Sequence, residues 1–312
     1  MTKTPSKTDW DASQMPALTG LTALVTGANS GLGIATVDAL ARAGAHVVLA
    51  VRNPSRGEAA AATVTGARGT LEVRRLDVAD LSSIRQFAAA WQGDLDILIN
   101  NAGVMNTPEG VTADGFETQF ATNHLGPFAL TNLLLPHLTD RVVGLSSNAH
   151  RIPASTHINF SNPNLTGEYD PMRAYSQSKL ATLLFTLELQ RRLTAAGSPV
   201  RAMAAHPGWA KTNLTSNDPN ALRRIAVNAA SAFISQDSTA GALPTLYAAT
   251  QDLPGASYVG PDGSGERTGA PTLVGRSKAA SDPEAARRLW TLSEELTDVT
   301  FPERLRTTTN TA

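Results

Sequence analysis

Cysteine is absent from all 312 residues, which excludes disulfides, thiolate nucleophiles and cysteine-ligated metal sites together. A charge excess is lacking too. Lys and Arg number 26 against 27 Asp and Glu, and a net charge of −1 gives no electrostatic reason to expect nucleic acid or an anionic membrane as partner. No apolar run approaches the ~20 residues that a bilayer span requires; the longest candidates are broken by Asp38, Arg42 and His46. Residues 1–15 are polar, carry Lys3, Lys7, Asp9 and Asp11, and lack the apolar stretch of a signal peptide. They read as a mobile tail, and the expectation is a soluble cytoplasmic protein without a membrane anchor. The six histidines show no paired spacing of the metalloprotease type, so no metal is assigned.

What the chain has is 42% hydrophobic residues, enough for a large core, arranged in alternating strand-like and helix-like segments. Strands are expected over 21–25, 46–51, 70–76, 95–100, 141–147 and 200–205. Helices are expected opening at the glycine turn 26–33 with Ile34, Val37, Leu40 and Ala41 on the apolar face, over 82–91, over 116–138 and over 173–193. Continuous apolar strands between amphipathic helices indicate a parallel sheet covered on both faces. The fold class is therefore α/β, a Rossmann-like doubly wound sheet, in one domain over 16–305 with 306–312 as a second tail. Such a fold binds ligands beyond the carboxyl ends of its strands. Gly27, Asp77, Asn101, Ser147 and Pro207 all fall just past such ends and converge on one crevice.

Two local patterns carry chemistry. Thr26-Gly27-Ala28-Asn29-Ser30-Gly31-Leu32-Gly33 joins the first strand to the first helix, where backbone N–H groups and a helix N-terminus meet a phosphate. Its spacing is Gly-x-x-x-Gly-x-Gly, and alone it could be a loop that merely turns. Tyr175 and Lys179 stand four apart, about 5–6 Å at their Cβ atoms on a helix, so the ammonium is expected to favour the phenolate. Alone this too is ambiguous, since an inward aromatic beside a solvated lysine has the same spacing.

Together with Asn100-Asn101-Ala102-Gly103, Asn123-His124-Leu125-Gly126, Ser146-Ser147, and Pro207-Gly208 followed by Thr212, these patterns resemble the short-chain dehydrogenase/reductase family. The resemblance covers about residues 18–301. Gln177-Ser178-Lys179-Leu180-Ala181 and His206-Pro207-Gly208-Trp209 point to its branch of retinol dehydrogenases and protochlorophyllide reductases. It implies a carbonyl/alcohol oxidoreductase with Tyr175 as general acid/base and Ser147 on the substrate oxygen. Lys179 would tune the phenol and bind the nicotinamide ribose, and Asn123 would hold a water linked to Lys179. It further implies a cradle of Gly27, Asn29, Ser30, Gly31, Leu32 and Gly33, and adenine contacts from Asp77 and Val78. Asn101, Ala102 and Gly103 would run along the cofactor, beside Tyr175, Lys179, Pro207 and Gly208, with Thr212 on the carboxamide. A homodimer or homotetramer is likewise implied by the resemblance alone.

Cofactor choice turns on the end of the second strand. Val51 stands where an Asp or Glu would hold the ribose of NAD, and Arg52 and Asn53 follow. A guanidinium suits the 2′-phosphate of NADP(H), so NADP(H) is the expected cofactor. Arg52 as a plain surface residue is the competing reading. Residues 148–174, rich in Asn, Pro and His, are expected to form part of the substrate mouth. Residues 209–235 are expected to cap the substrate, with Leu214, Leu222 and Ile225 either lining an apolar pocket or packing as an ordinary amphipathic helix. Pro127 and Thr182 depart from the branch, which often has His and Asn there, and leave the substrate open beyond a lipophilic small molecule. Two other functions remain: an NADP(H)-binding redox sensor without turnover, and a non-redox dehydratase or epimerase.

Overall fold

Seven of the eight strands run parallel, and each except the last is followed by a connection that returns over a face of the sheet. The structure, a computed structural model, describes residues 10–152, 157–209, 237–303 and 305. The strand order is β3-β2-β1-β4-β5-β6-β7-β8. These are β1 (Thr22–Thr26), β2 (His46–Val51), β3 (Leu71–Arg75), β4 (Leu95–Asn100), β5 (Leu138–Leu145), β6 (Arg201–Ala205), β7 (Tyr258–Pro261) and β8 (Pro271–Leu273). The order reverses between β1 and β4, which opens the crevice of a doubly wound sheet at their carboxyl ends. The sheet is parallel as expected except at one edge, where β8, outside the strands expected from sequence, pairs antiparallel with β7. The hairpin between them is too short for a crossover, which parallel pairing would need.

On one face α1 (Gly31–Arg42) and α7 (Ser238–Thr250) enclose Val25, Val37, Leu40, Leu49 and Ile99. On the other, α3 (Leu81–Ala89), α5 (Gly126–Leu134) and α8 (Pro283–Thr297) share a core with α6 (Pro171–Ala195). There Trp290 stacks on Phe185 at 5.7 Å and meets Phe128 edge-on at 5.0 Å. The aliphatic strands are fully buried because both faces are covered; β3, at the edge, is only half-buried and carries the Glu72–Arg74 ion pair at 2.6 Å. Among the described residues, no helix is long and apolar enough to cross a membrane.

Three expectations are revised. The tail expected over residues 1–15 gives way to packed structure by residue 10: Trp10 is buried and meets Tyr247 edge-on at 5.1 Å. The helix expected over 116–138 is composite. It runs as α4 (Thr118–Phe120), a π-turn (Ala121–Leu125), α5 and a 3-10 turn (Leu135–His137), and Leu138 already belongs to β5. The segment α2 (Pro54–Ala61), α7, β7, β8 and α8 also lay outside the expected elements.

Candidate active site and cofactor cradle

Backbone geometry makes the cradle. Gly27 has φ +65°, and a Cβ there would lie 2.9 Å from Ala102 Cα, so only glycine lets the β1–α1 and β4 loops touch. At Gly33 a Cβ would lie 2.5 Å from the Gly27 carbonyl oxygen. Asn101 ties the loops from the other side, its Nδ2 donating to the Thr26 carbonyl at 2.7 Å, while the Ala102 N–H donates to Thr26 Oγ1 at 2.9 Å. Ser30 is the N-cap of α1 and makes no cap bond with its hydroxyl, which leaves it for a ligand at that helix N-terminus.

A cavity of about 370 Å³ opens here. It is lined by Gly27, Asn29, Ser30, Gly31, Leu32, Gly33, Arg52, Asn53, Asp77, Val78, Asn101, Ala102 and Gly103, all expected from sequence. Arg56, Leu76, Ala79, Val104, Thr118 and Thr122 were not. Arg56 is the consequential omission. Asn53 caps α2 by accepting from the Arg56 N–H at 3.2 Å, and Pro54 follows at the first helical position. Two guanidinium groups thus stand at the end of β2, Arg52 just before the cap and Arg56 in the first turn of the short helix; an Asn-Pro cap signal is the sequence feature that marks the helix. Asp77 engages one carboxylate oxygen locally, accepting from the Ala79 N–H at 3.0 Å. Val51 does not read the ribose: it is buried, and a Cβ on Gly57 of α2 would lie 2.7 Å from its Cγ2. Alternation along β2 turns Val51 into the core and leaves the cavity to the residues after it.

The catalytic candidates lie beside this cavity and not in its lining. Gly103 joins the two, since a Cβ there would be 3.1 Å from Asn123 Oδ1 and 3.5 Å from Lys179 Nζ. Tyr175 and Lys179 share one turn of α6 and are both buried, with the ammonium 5.6 Å from the phenol ring centroid. Lys179 Nζ donates to the Leu145 carbonyl at 2.9 Å, and burial pushes its pKa down to about 8. The expected depression of the Tyr175 phenol is not found: burial raises it above the ordinary tyrosine value, and a hydrogen bond with Ser147 works weakly the other way. Desolvation of the phenolate outweighs an ammonium that approaches the ring and is bonded to a carbonyl.

Ser147 caps a 3-10 turn, Asn148–Arg151, its Oγ accepting from the Ala149 N–H at 3.2 Å. Its neighbour Ser146 is buried and donates to the Lys179 carbonyl at 2.8 Å. Asn123 sits in the π-turn, a feature frequent at functional sites. Its side chain brackets Val104, accepting from the N–H at 2.8 Å and donating to the carbonyl at 2.9 Å, and also donates to Ser178 Oγ at 2.8 Å. Thr182 Oγ1 donates to the Asn123 carbonyl at 3.4 Å. Pro207 and Gly208 follow β6, and the Gly208 N–H donates to His206 Nδ1 at 3.2 Å. Thr212, and all of the capping segment beyond Trp209 up to residue 235, lie outside the described residues.

This sheet, glycine loop and serine–tyrosine–lysine grouping define a nicotinamide-dependent oxidoreductase class, and the sequence comparison agrees: residues 21–222 match the family described as short chain dehydrogenase. The chain belongs to that family. Human retinol dehydrogenase 13 is 41% identical over 297 residues, covering 91% of this chain and 86% of its own. Mouse retinol dehydrogenase 14 is 38% identical over 301 residues, covering 90% and 86%. A crystal structure of a protein from Mycobacterium Paratuberculosis matches with a TM-score of 0.81 at 52% identity, covering 95% of this chain and 100% of that one. These relatives fix the branch as retinol dehydrogenase-like, and with it an enzyme interconverting CH–OH and C=O with NAD(P)(H).

Proposed function

We propose that the protein is an NADP(H)-dependent enzyme that reduces the carbonyl of a lipophilic aldehyde or ketone, and reoxidises the alcohol, with Tyr175 as general acid/base. The observation that carries this reading is Tyr175 buried beside a buried Lys179, with the half-buried Ser147 acting on its phenol, next to a cavity that Arg52 and Arg56 help to line. The cofactor, when bound, supplies or accepts hydride. The chain's residues do the rest. Two guanidinium groups and the α2 N-terminus suit a 2′-phosphate, which a carboxylate would repel.

Ser147 Oγ already accepts from Ala149, which leaves its own proton to donate to a substrate oxygen. That bond strengthens as negative charge develops on the oxygen. Tyr175, whose raised pKa keeps it protonated at neutral pH, then gives its proton to the same oxygen. Lys179 has two N–H donors beyond the one on Leu145, and Gly103 leaves the approach to them open. Those donors suit ribose hydroxyls. By the same reading Asn123 holds the 103–104 loop against the reacting centre and, through its carbonyl, a water beside Lys179. The retinol named by the relatives makes a long apolar alcohol or aldehyde the first substrate class to try. NADPH absorbance loss, followed with all-trans-retinal, nonanal and benzaldehyde in parallel, tests the reading. Consumption with the long apolar aldehydes supports it, and no consumption with any carbonyl despite tight NADPH binding would favour a redox sensor.

A further inference from the structure

His150 is fully buried one turn beyond the catalytic serine, and nothing in the proton transfer uses it. Its Nδ1 lies 2.6 Å from the Ser147 carbonyl oxygen, and the Ser277 N–H points at its Nε2 at 3.3 Å. A backbone amide only donates, so Nε2 must be the acceptor and Nδ1 must carry the hydrogen. The ring is thereby held in one neutral tautomer. Its face is fixed as well, standing edge-on to Tyr258 at 5.7 Å and 80°.

The rest of the turn is tied to the same distant segment. Arg151 donates to the Gly275 carbonyl and to Glu266 Oε1 at 3.0 Å, and Asn148 Nδ2 donates to the Gly265 carbonyl at 3.3 Å. The other Glu266 oxygen meets His206 Nε2 at 3.0 Å. Since His206 Nδ1 accepts from Gly208, its Nε2 carries the hydrogen that Glu266 takes. Glu266 holds this place at φ +54°, a conformation that a non-glycine residue keeps only where its surroundings impose it. Residues 265–277 thus brace the serine turn from behind, and His150 alone of these side chains grips the serine's own backbone.

We propose that His150 is a positioning residue that orients Ser147 towards the substrate oxygen. The proposal rests on the catalytic reading of Ser147. The competing role is simple filling of the space beneath Tyr258. Asparagine keeps a donor where Nδ1 stands but is the smaller side chain; glutamine fills more space and moves its donor to where Nε2 stands. Positioning therefore ranks His150→Asn above His150→Gln, and filling ranks them in reverse.

The test measures kcat and KM with NADPH and nonanal for wild type, His150→Asn, His150→Gln and His150→Ala, together with amide exchange at Ala149, whose N–H reports on Ser147 Oγ. In His150→Gln and His150→Ala, kcat should fall by at least about tenfold with the NADPH KM within about twofold, and His150→Asn should stay within about threefold of wild type. Ala149 exchange should quicken by about tenfold in the Gln and Ala variants and not in Asn, with β1 amides unchanged. Equal kcat and equal Ala149 exchange in Asn and Gln, or Gln nearer to wild type, would overturn the proposal. If wild type turns over no carbonyl, the catalytic reading has failed, and the exchange ranking alone decides whether His150 holds the serine turn. Should the alanine variant not fold, the Asn and Gln pair carries the comparison.

Discussion

On the proposed NADP(H) reading Arg52 and Arg56 divide one task, and their effects should show it. Arg52→Ala is expected to weaken NADPH binding by about 2 kcal/mol, Arg56→Ala by somewhat less, and neither should change NADH binding by more than a few tenths. Calorimetric titration of both cofactors checks this; equal losses for NADH and NADPH would mean that the arginines support the loop. Val51 makes the contrasting case. A carboxylate there would not face a ribose but the core between Val73 and Gly57, so Val51→Asp should lower stability by about 3 kcal/mol or more in urea unfolding, without turning preference to NADH. The chemistry-bearing residue types were legible because each has few other uses in such patterns. The direction of Val51 was not, since one residue's shift along a strand changes the face. The protonation of Tyr175 was not legible either, because spacing shows the nearby cation but not the loss of water around the phenol.

The glycine loop is an element whose shape is its function. Gly27→Ala places a Cβ 2.9 Å from Ala102 Cα at φ +65°, a strain of about 1–2 kcal/mol that the β4 loop must relieve by moving. Thermal unfolding should therefore shift downward and NADPH affinity should fall by at least about tenfold; an unchanged affinity would contradict the cradle. Elements with a strong period were readable: β2 and β4 match their expected bounds, 46–51 and 95–100, and α1 and α6 lie where their apolar faces place them. Those set by distant contacts were not. The α2 segment buries only Gly57, so it offers no apolar stripe, and α7 is apolar all round with Pro244 inside it. The short edge strands β7 and β8 have four and three residues, too few for a period to show. The π-turn around Asn123 is likewise invisible in sequence, since its five residues read as plain helix.

Over the whole molecule, buried neutral histidines set the acid limit. His124, among Phe120, Phe128 and Phe185, has its pKa pushed down to about 3 by burial, and His150 to about 4. Arg151 and His206 add to the depression of His150, and the Ser147 carbonyl and Glu266 oppose it. Both groups titrate near 6.5 when unfolded, so the unfolded chain takes up protons first. Their stabilising contribution is present above about pH 6.5 and is lost as pH falls towards 4 and 3, at about 1.4 kcal/mol per unit for each group. The thermal midpoint should fall steeply below about pH 6, and His124→Phe should flatten that limb; an unchanged limb would remove His124 from the account. The parallel core and the crevice at the strand ends were legible because Gly27, Asp77 and Asn101 fall beyond strand ends, and all three line it. The antiparallel edge and the early packing of Trp10 were not, as both depend on partners far along the chain. The central claim is that this crevice reduces carbonyls through Tyr175. Its most direct test is NADPH consumption with a long apolar aldehyde by wild type and by Tyr175→Phe, with NADPH binding measured on both. The account predicts a loss of turnover of 10²–10⁴-fold at nearly unchanged NADPH affinity, and turnover within about tenfold of wild type would contradict it.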